Sequence, residues 1–301
     1  MRQVTLTPRH KHKGGENGLL CRQEIGCVPH IERTGFDPTL VFLHGIGSSS
    51  ESFAPLFEAF PKGPRLIAWN APGYSTSKLL AKATPTASDY AEALEQFFDK
   101  LNLDKATIVG HSLGSLFAVA FALRAPARVS SIVLAASAQG YGIGADEPLP
   151  TKAADRLNDL ARLGPEKFAE MRAPRLVFNP EGNPSVVALV RQEMARINPD
   201  GYAQAVHGLA SGDLAAAVVR LDKKPAFIIG AQDQITLRDQ TEAAMHSWAK
   251  AHGEMPSCIS IPNAGHAVYV QEPAAFADAL IKLVPEIHTR TPSHPEGEIH
   301  G

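Results

Sequence analysis

The stretch Ala106-Thr107-Ile108-Val109-Gly110-His111-Ser112-Leu113-Gly114-Ser115 decides how this chain is read. An apolar run, a Gly-x-Ser-x-Gly pentapeptide and a second apolar run to Leu123 spell strand, sharp turn and helix. That is the layout of a nucleophile elbow. A serine at such a turn adopts unfavourable φ/ψ, so its neighbours must be small, and Gly110 and Gly114 meet that need. The turn lifts the Ser112 hydroxyl above the sheet and aims the Leu113 N–H into the same space, where the helix adds its positive dipole end. A chain with 24 glycines can carry such a match by chance, and the strand before it and helix after it argue against chance.

Working outward, residues 39–43 read as a buried strand that runs into the tight loop His44-Gly45-Ile46-Gly47. A helix is expected from Ser50 or Glu51 through Phe60, and a strand over 65–69 closed by Asn70-Ala71-Pro72-Gly73-Tyr74-Ser75. Residues 88–101 carry Tyr90, Leu94, Phe97, Phe98 and Leu101 at helical spacing. Residues 22–33 read as an edge strand or hairpin. After a strand over 129–135 the alternation stops, and 139–221 holds amphipathic helical stretches punctuated by proline. It resumes with strands over 226–230 and 258–261 and helices over 238–252 and 273–283. Strands alternating with helices imply an α/β fold with a mostly parallel, doubly wound sheet. The expected organisation is a flexible lead-in over 1–18, a core of 19–138 and 222–285, a helical cap insertion over 139–221, and a flexible tail over 286–301.

The chain has 301 residues, 44% of them hydrophobic, enough to bury a large core. A formal charge of −2 gives no reason to expect nucleic acid or an anionic membrane as partner. No apolar run approaches the roughly 20 residues of a membrane span. The first residues are charged and lack an apolar segment, so they do not read as a secretory signal. Cys21, Cys27 and Cys258 form no disulfide pattern and read as ordinary thiols, which makes a reducing cytoplasm the expected home. The expected partner is a small-molecule substrate, and the expected assembly a monomer or homodimer.

A serine hydroxyl needs a base to take its proton and an acid to hold that base. In the elbow topology the chain order is Ser, then Asp or Glu, then His. Asp233 lies just past the strand at 226–230, and His266 just past the strand at 258–261, at the same sheet rim as Ser112. Each alone has a bland reading, Asp233 as a turn former and His266 as a surface group. The order and the strand-end positions together favour a triad. The loop after the strand at 129–135 holds no carboxylate before Asp146, so Asp233 has no close rival. The developing oxyanion needs two donors, expected from the N–H groups of Leu113 and Ile46. Gly45, Gly47 and His111 are expected to line the substrate site, and His44 to hydrogen-bond within its own loop. No metal and no organic cofactor is expected. Cap arginines (Arg156, Arg162, Arg172, Arg175, Arg191, Arg196) read mainly as a solvated helix face, with a substrate carboxylate as the alternative partner.

The loops His44-Gly45-Ile46-Gly47, Ala71-Pro72-Gly73-Tyr74-Ser75, Gly110-His111-Ser112-Leu113-Gly114, Gly230-Ala231-Gln232-Asp233 and Gly265-His266 resemble those of the α/β-hydrolase superfamily over residues 39–283. The resemblance implies a sheet of the α/β-hydrolase type, Ser112, Asp233 and His266 as triad, and Ile46 and Leu113 as oxyanion donors. Asn198-Pro199-Asp200-Gly201-Tyr202, leading into Leu214 and Pro225, is similar to the end of the cap in 3-oxoadipate enol-lactonases and small esterases. The meta-cleavage carbon–carbon hydrolases typically continue the oxyanion loop with Gly-Pro-Gly, and here Gly47 is followed by Ser48-Ser49-Ser50. Haloalkane dehalogenases and epoxide hydrolases place Asp where this chain has Ser112. The resemblance implies hydrolysis of a carboxylic ester, lactone or thioester. Carbon–carbon bond hydrolysis of a diketone-like aromatic-degradation product, cofactor-free oxygenation and ligand binding by a catalytically silent receptor stay open as alternatives.

Overall fold

The structure is a computed structural model that describes residues 20–25 and 28–288. The lead-in expected over 1–18 lies outside the described residues, as does all of the expected tail beyond a short turn at Pro285–His288.

The hairpin expected over 22–33 is present as β1 (Leu20–Ile25) paired antiparallel with β2 (Val28–Arg33). β3 (Phe36–Leu43) leads through a short turn into α1 (Ala54–Ala59), then β4 (Pro64–Trp69), α2 (Ala87–Lys100), β5 (Ala106–His111), α3 (Leu113–Arg124) and β6 (Val129–Ala135). The insertion contributes α4 (Thr151–Arg172), α5 (Pro184–Met194), α6 (Pro199–Ser211) and α7 (Leu214–Val218). The chain then closes with β7 (Ala226–Gly230), α8 (Arg238–His252), β8 (Cys258–Ile261), α9 (Val268–Gln271) and α10 (Pro273–Leu283). The strand order is β1-β2-β4-β3-β5-β6-β7-β8. Strands β3 to β8 pair in parallel, and β2 joins β4 antiparallel.

The unbroken apolar reading of β3 has a direct cause. Successive side chains point to opposite faces, and both faces are covered. Val41 and Leu43 enter a core shared with α2, α3 and α8, where Tyr90, Phe97, Phe117 and Trp248 are buried. Leu40 and Phe42 enter a second core with Phe57, Tyr269 and Phe276, beneath α1, α9 and α10. The winding on both sides carries every parallel strand to the same rim, where the loops after β3, β5, β7 and β8 meet.

Two glycine pairs explain why separated motifs travel together. A Cβ on Gly73 would sit 2.5 Å from the Gly201 Cα, and one on Gly201 would sit 2.0 Å from the Gly73 carbonyl oxygen. The loop after β4 and the start of α6 therefore touch backbone to backbone. A Cβ on Gly230 would lie 2.2 Å from the Gly265 carbonyl oxygen, so the end of β7 abuts the loop that carries His266.

The helix α4 is sharply broken. Gly164 has φ 68° and ψ 166°, a conformation essentially restricted to glycine, and Pro165 follows it. Nothing lies within 4 Å of a Cβ built there, so the glycine is required by backbone conformation and not by crowding.

Candidate active site

The elbow takes the form expected of it. Ser112 stands between β5 and α3 with φ 52° and ψ −116°, a strained backbone for a residue with a side chain. The turn is held by Ser112 N–H donating to the Ala135 carbonyl at 2.9 Å and by the Ser115 hydroxyl donating to the Gly110 carbonyl at 2.9 Å. A Cβ on Gly110 would come within 2.4 Å of the Gly114 oxygen, and one on Gly114 within 2.2 Å of the Leu43 oxygen. These are backbone atoms that cannot swing aside. Gly114→Ala should therefore cost at least about 3 kcal/mol of stability, a core-overpacking effect read from urea unfolding. A variant within roughly 0.5 kcal/mol of the parent would contradict that close approach.

Ser112, Asp233 and His266, more than a hundred residues apart at the extremes, come together. The Ser112 hydroxyl lies 3.1 Å from His266 Nε2, and His266 Nδ1 lies 2.9 Å from Asp233 Oδ2. All three are buried, at 5 to 7% exposure. The distances fit one tautomer, in which Nδ1–H donates to the carboxylate and Nε2 accepts from the serine hydroxyl. Asp233 also shapes its own loop, its Oδ1 accepting from the N–H groups of Ile235 at 2.7 Å and Thr236 at 3.0 Å. Its turn-forming role and its contact with His266 thus coexist. Burial alone would raise the Asp233 pKa. The nearby His266 and the hydrogen bonds from His266, Thr236 and Ile235 outweigh that and bring it down to about 2.

Thr236 was not singled out from the sequence. Its hydroxyl donates to Asp233 Oδ2 at 2.6 Å and lies 3.2 Å from His266 Nδ1. Its position three residues after a loop Asp is the signal that could have found it. Gln271 was also missed. Its side-chain oxygen accepts from Gly265 N–H at 3.0 Å and Phe178 N–H at 3.0 Å, tying the His266 loop to the insertion.

The loop His44-Gly45-Ile46-Gly47 is held from both sides. His44 bonds the Gly45 carbonyl through Nδ1 at 2.9 Å, as expected within its loop, and its Nε2 also accepts the Ala71 N–H at 3.2 Å. Gly47 N–H donates to the Tyr74 hydroxyl at 3.3 Å, and Ser48 N–H to the Gly45 carbonyl at 3.3 Å. With those two committed, the Ile46 N–H has no acceptor among the described residues, and neither does the Leu113 N–H at the start of α3. Gly45 presses on the elbow, since a Cβ there would lie 2.9 Å from His111 Nδ1 and 3.0 Å from the Ser112 Cβ.

Gly45, Ile46, Gly47, His111, Ser112 and His266 all line one cavity of about 320 Å³, bounded above by α4, α5 and α6. Leu176, Val190, Met194 and Leu209 give it apolar wall. Glu193 on α5 also faces it, and this buried carboxylate accepts from Ser49 and from Arg196, joining the insertion to the oxyanion loop. His111 Nε2–H donates to the His266 carbonyl at 2.8 Å. Among the described residues no group of three or more His, Cys, Asp or Glu is arranged to hold a metal ion. No described helix is long and apolar enough to cross a membrane.

Two buried histidines set an acid limit. Burial brings the His44 pKa down to about 4. Burial, with His266 adding repulsion, brings His111 down to about 3. In the unfolded chain both titrate near about 6.5. Below that value the unfolded state binds protons that the folded state refuses, so stability falls as pH falls, by up to about 1.4 kcal/mol per pH unit for each histidine. Asp233 acts in the same direction lower down, its contribution being lost between about pH 4 and its folded value of about 2. Urea unfolding free energies at pH 7, 6 and 5 should decline progressively, and a flat profile over that range would contradict the neutral burial of His44 and His111.

The chain belongs to the alpha/beta hydrolase fold family, whose model matches residues 38–273. It is 36% identical over 131 residues to a 2-hydroxy-6-oxononadienedioate/2-hydroxy-6-oxononatrienedioate hydrolase of Pseudomonas putida, a match covering 41% of this chain and 45% of that protein. It thus spans somewhat under half the length of that relative. It is 28% identical over 260 residues to a pimeloyl-[acyl-carrier protein] methyl ester esterase of Nitrosomonas europaea, covering 84% of this chain and 98% of the relative. Among solved structures, the enol-lactonase of Burkholderia xenovorans LB400 superposes with a TM-score of 0.75 at 20% identity, covering 88% of this chain and all of that one. At that identity the superposition speaks for the fold alone.

Proposed function

We propose that this protein is a serine hydrolase that cleaves a carboxylic ester, lactone or thioester through an acyl-Ser112 intermediate. The observation that carries the reading is the continuous line Ser112 Oγ–His266–Asp233, at 3.1 and 2.9 Å, beneath a cavity with two uncommitted N–H groups. His266 Nε2 takes the Ser112 proton as Oγ attacks the carbonyl carbon. The carbonyl oxygen becomes an oxyanion that accepts from Leu113 and Ile46. The imidazolium, steadied by the Asp233 charge, gives its proton to the departing alkoxide or thiolate. Water then loses a proton to His266, attacks the acyl carbon and releases the acid, returning the proton to Ser112. The block 139–221 acts as the cap over a small-molecule substrate, and its tie to the His266 loop through Gln271 supports that role. The free Cys258 supports a reducing, cytoplasmic setting.

A second reading, carbon–carbon bond hydrolysis of a diketone-like acid, is favoured by the 36% match to a hydrolase of that kind. Against it stands Ser48-Ser49-Ser50 after Gly47, where such enzymes typically carry Gly-Pro-Gly. The test is a panel of p-nitrophenyl acyl esters, enol-lactones and vinylogous diketones compared by kcat/KM. Ester or lactone turnover should exceed diketone cleavage by at least about a hundredfold, and the reverse order would select the second reading.

A further inference from the structure

Six arginines lie between Thr151 and Asn198, and they divide cleanly. Arg162 pairs with Asp159, Arg191 with Glu170 and Arg196 with Glu193. Arg175 is exposed. Arg156 and Arg172 are half-buried and line the cavity above Ser112, and neither guanidinium has an ion pair or hydrogen bond among the described residues. They lie sixteen residues apart on α4, which in a straight helix would separate them by about 24 Å. The break at Gly164 folds α4 back so that its first and last turns face one space. The Arg172 guanidinium is seated 5.1 Å over the Phe168 ring, which fixes its plane without neutralising it. Burial works against the Arg172 charge, and the neighbouring Arg156 and Arg175 add repulsion, so its pKa lies below the usual arginine value.

Two like charges drawn from water without a counter-charge are a costly arrangement unless a ligand supplies the anion. The one carboxylate on the same cavity wall, Glu193, is already engaged by Ser49 and Arg196. The same cavity wall includes Leu176, Val190 and Met194, which suits an aliphatic portion of a ligand.

We propose that Arg156 and Arg172 form an oxyanion subsite, so that the substrate carries a carboxylate or phosphate remote from the bond cleaved at Ser112. Planar guanidinium forks match either anion in bidentate fashion. Lys152, exposed at the rim of the same cavity, adds a third positive charge on the approach. This inference deepens the hydrolase reading and rests on it for the position of the scissile bond, but anion binding can be measured without turnover.

The experiment uses the full-length Ser112→Ala protein and isothermal calorimetry with adipate, hexanoate and inorganic phosphate. Adipate should bind at least about tenfold more tightly than hexanoate. Arg172→Gln or Arg156→Gln in that background should abolish the advantage, whereas Arg162→Gln, whose ion pair with Asp159 lies outside the cavity, should preserve it. Displacement of adipate by phosphate, lost in Arg172→Gln, would assign the subsite to phosphate as well, and adipate binding indifferent to phosphate would assign it to carboxylate. Thermal melts confirm folding, and if Arg172→Gln fails to fold, Arg156→Gln carries the same expectation. Equal binding of adipate and hexanoate, or an advantage that survives loss of both arginines, would overturn the proposal. Adipate selectivity in a protein whose parent hydrolyses no ester would sink the hydrolase reading and leave the subsite standing.

Discussion

Ser112→Ala should lower kcat for the best ester substrate by at least about a thousandfold while leaving the fold intact. The hydroxyl lies within hydrogen-bond reach of His266 Nε2, at 3.1 Å, so its removal takes away both the nucleophile and the O–H bond to be broken in acylation. The residual rate over water should come from the Ile46 and Leu113 N–H groups and from substrate binding. The backbone at position 112 keeps its strained φ of 52° with alanine as with serine, and the elbow is held by backbone bonds and by Ser115. Thermal melting should therefore change little. A fall in kcat of less than about tenfold would show that Ser112 is not the nucleophile.

Asp233→Asn should lower kcat by roughly a thousandfold to ten-thousandfold with a smaller effect on KM. The carboxylate accepts four hydrogen bonds, from Ile235, Thr236 N–H, the Thr236 hydroxyl and His266. An asparagine can keep those to its oxygen, but its NH₂ has no acceptor to face at Oδ2, where the Thr236 hydroxyl and His266 Nδ1–H both donate. The imidazole is then driven toward the tautomer with its proton on Nε2, which cannot accept from Ser112. The imidazolium formed in acylation also loses its counter-charge. Raising the pH should not restore the rate, because the fault is in proton position and not in an unionised acid. A variant with more than about a tenth of the parental kcat would contradict this role.

Most of this arrangement could be read from the chain because it rests on local constraints. Gly110, Gly114, Gly230 and Gly265 mark places where backbone meets backbone, and such contacts leave a glycine in the sequence whatever surrounds it. The strands β3 to β7 are mostly apolar on both faces because both faces are covered, so their alternation with helices announced the parallel sheet. The grouping of Ser112, Asp233 and His266 followed because all three stand at strand ends on one rim. What escaped were contacts between distant segments with no periodicity or spacing of their own. Gln271 bridging the His266 loop to Phe178 is one, and Glu193 reaching Ser49 is another. The sorting of the arginines between β6 and β7 escaped for the same reason. Arg156 and Arg172 reach one cavity because α4 breaks at Gly164 between them, whereas Arg162 lies outside it beside Asp159.

The most direct test of the central claim is intact-mass and peptide analysis after treatment with a fluorophosphonate. The account predicts one adduct per chain, on the peptide containing Ser112, forming at least about a hundredfold more slowly in Asp233→Asn. No adduct on the folded protein, or an adduct on a different serine with Ser112 untouched, would contradict it.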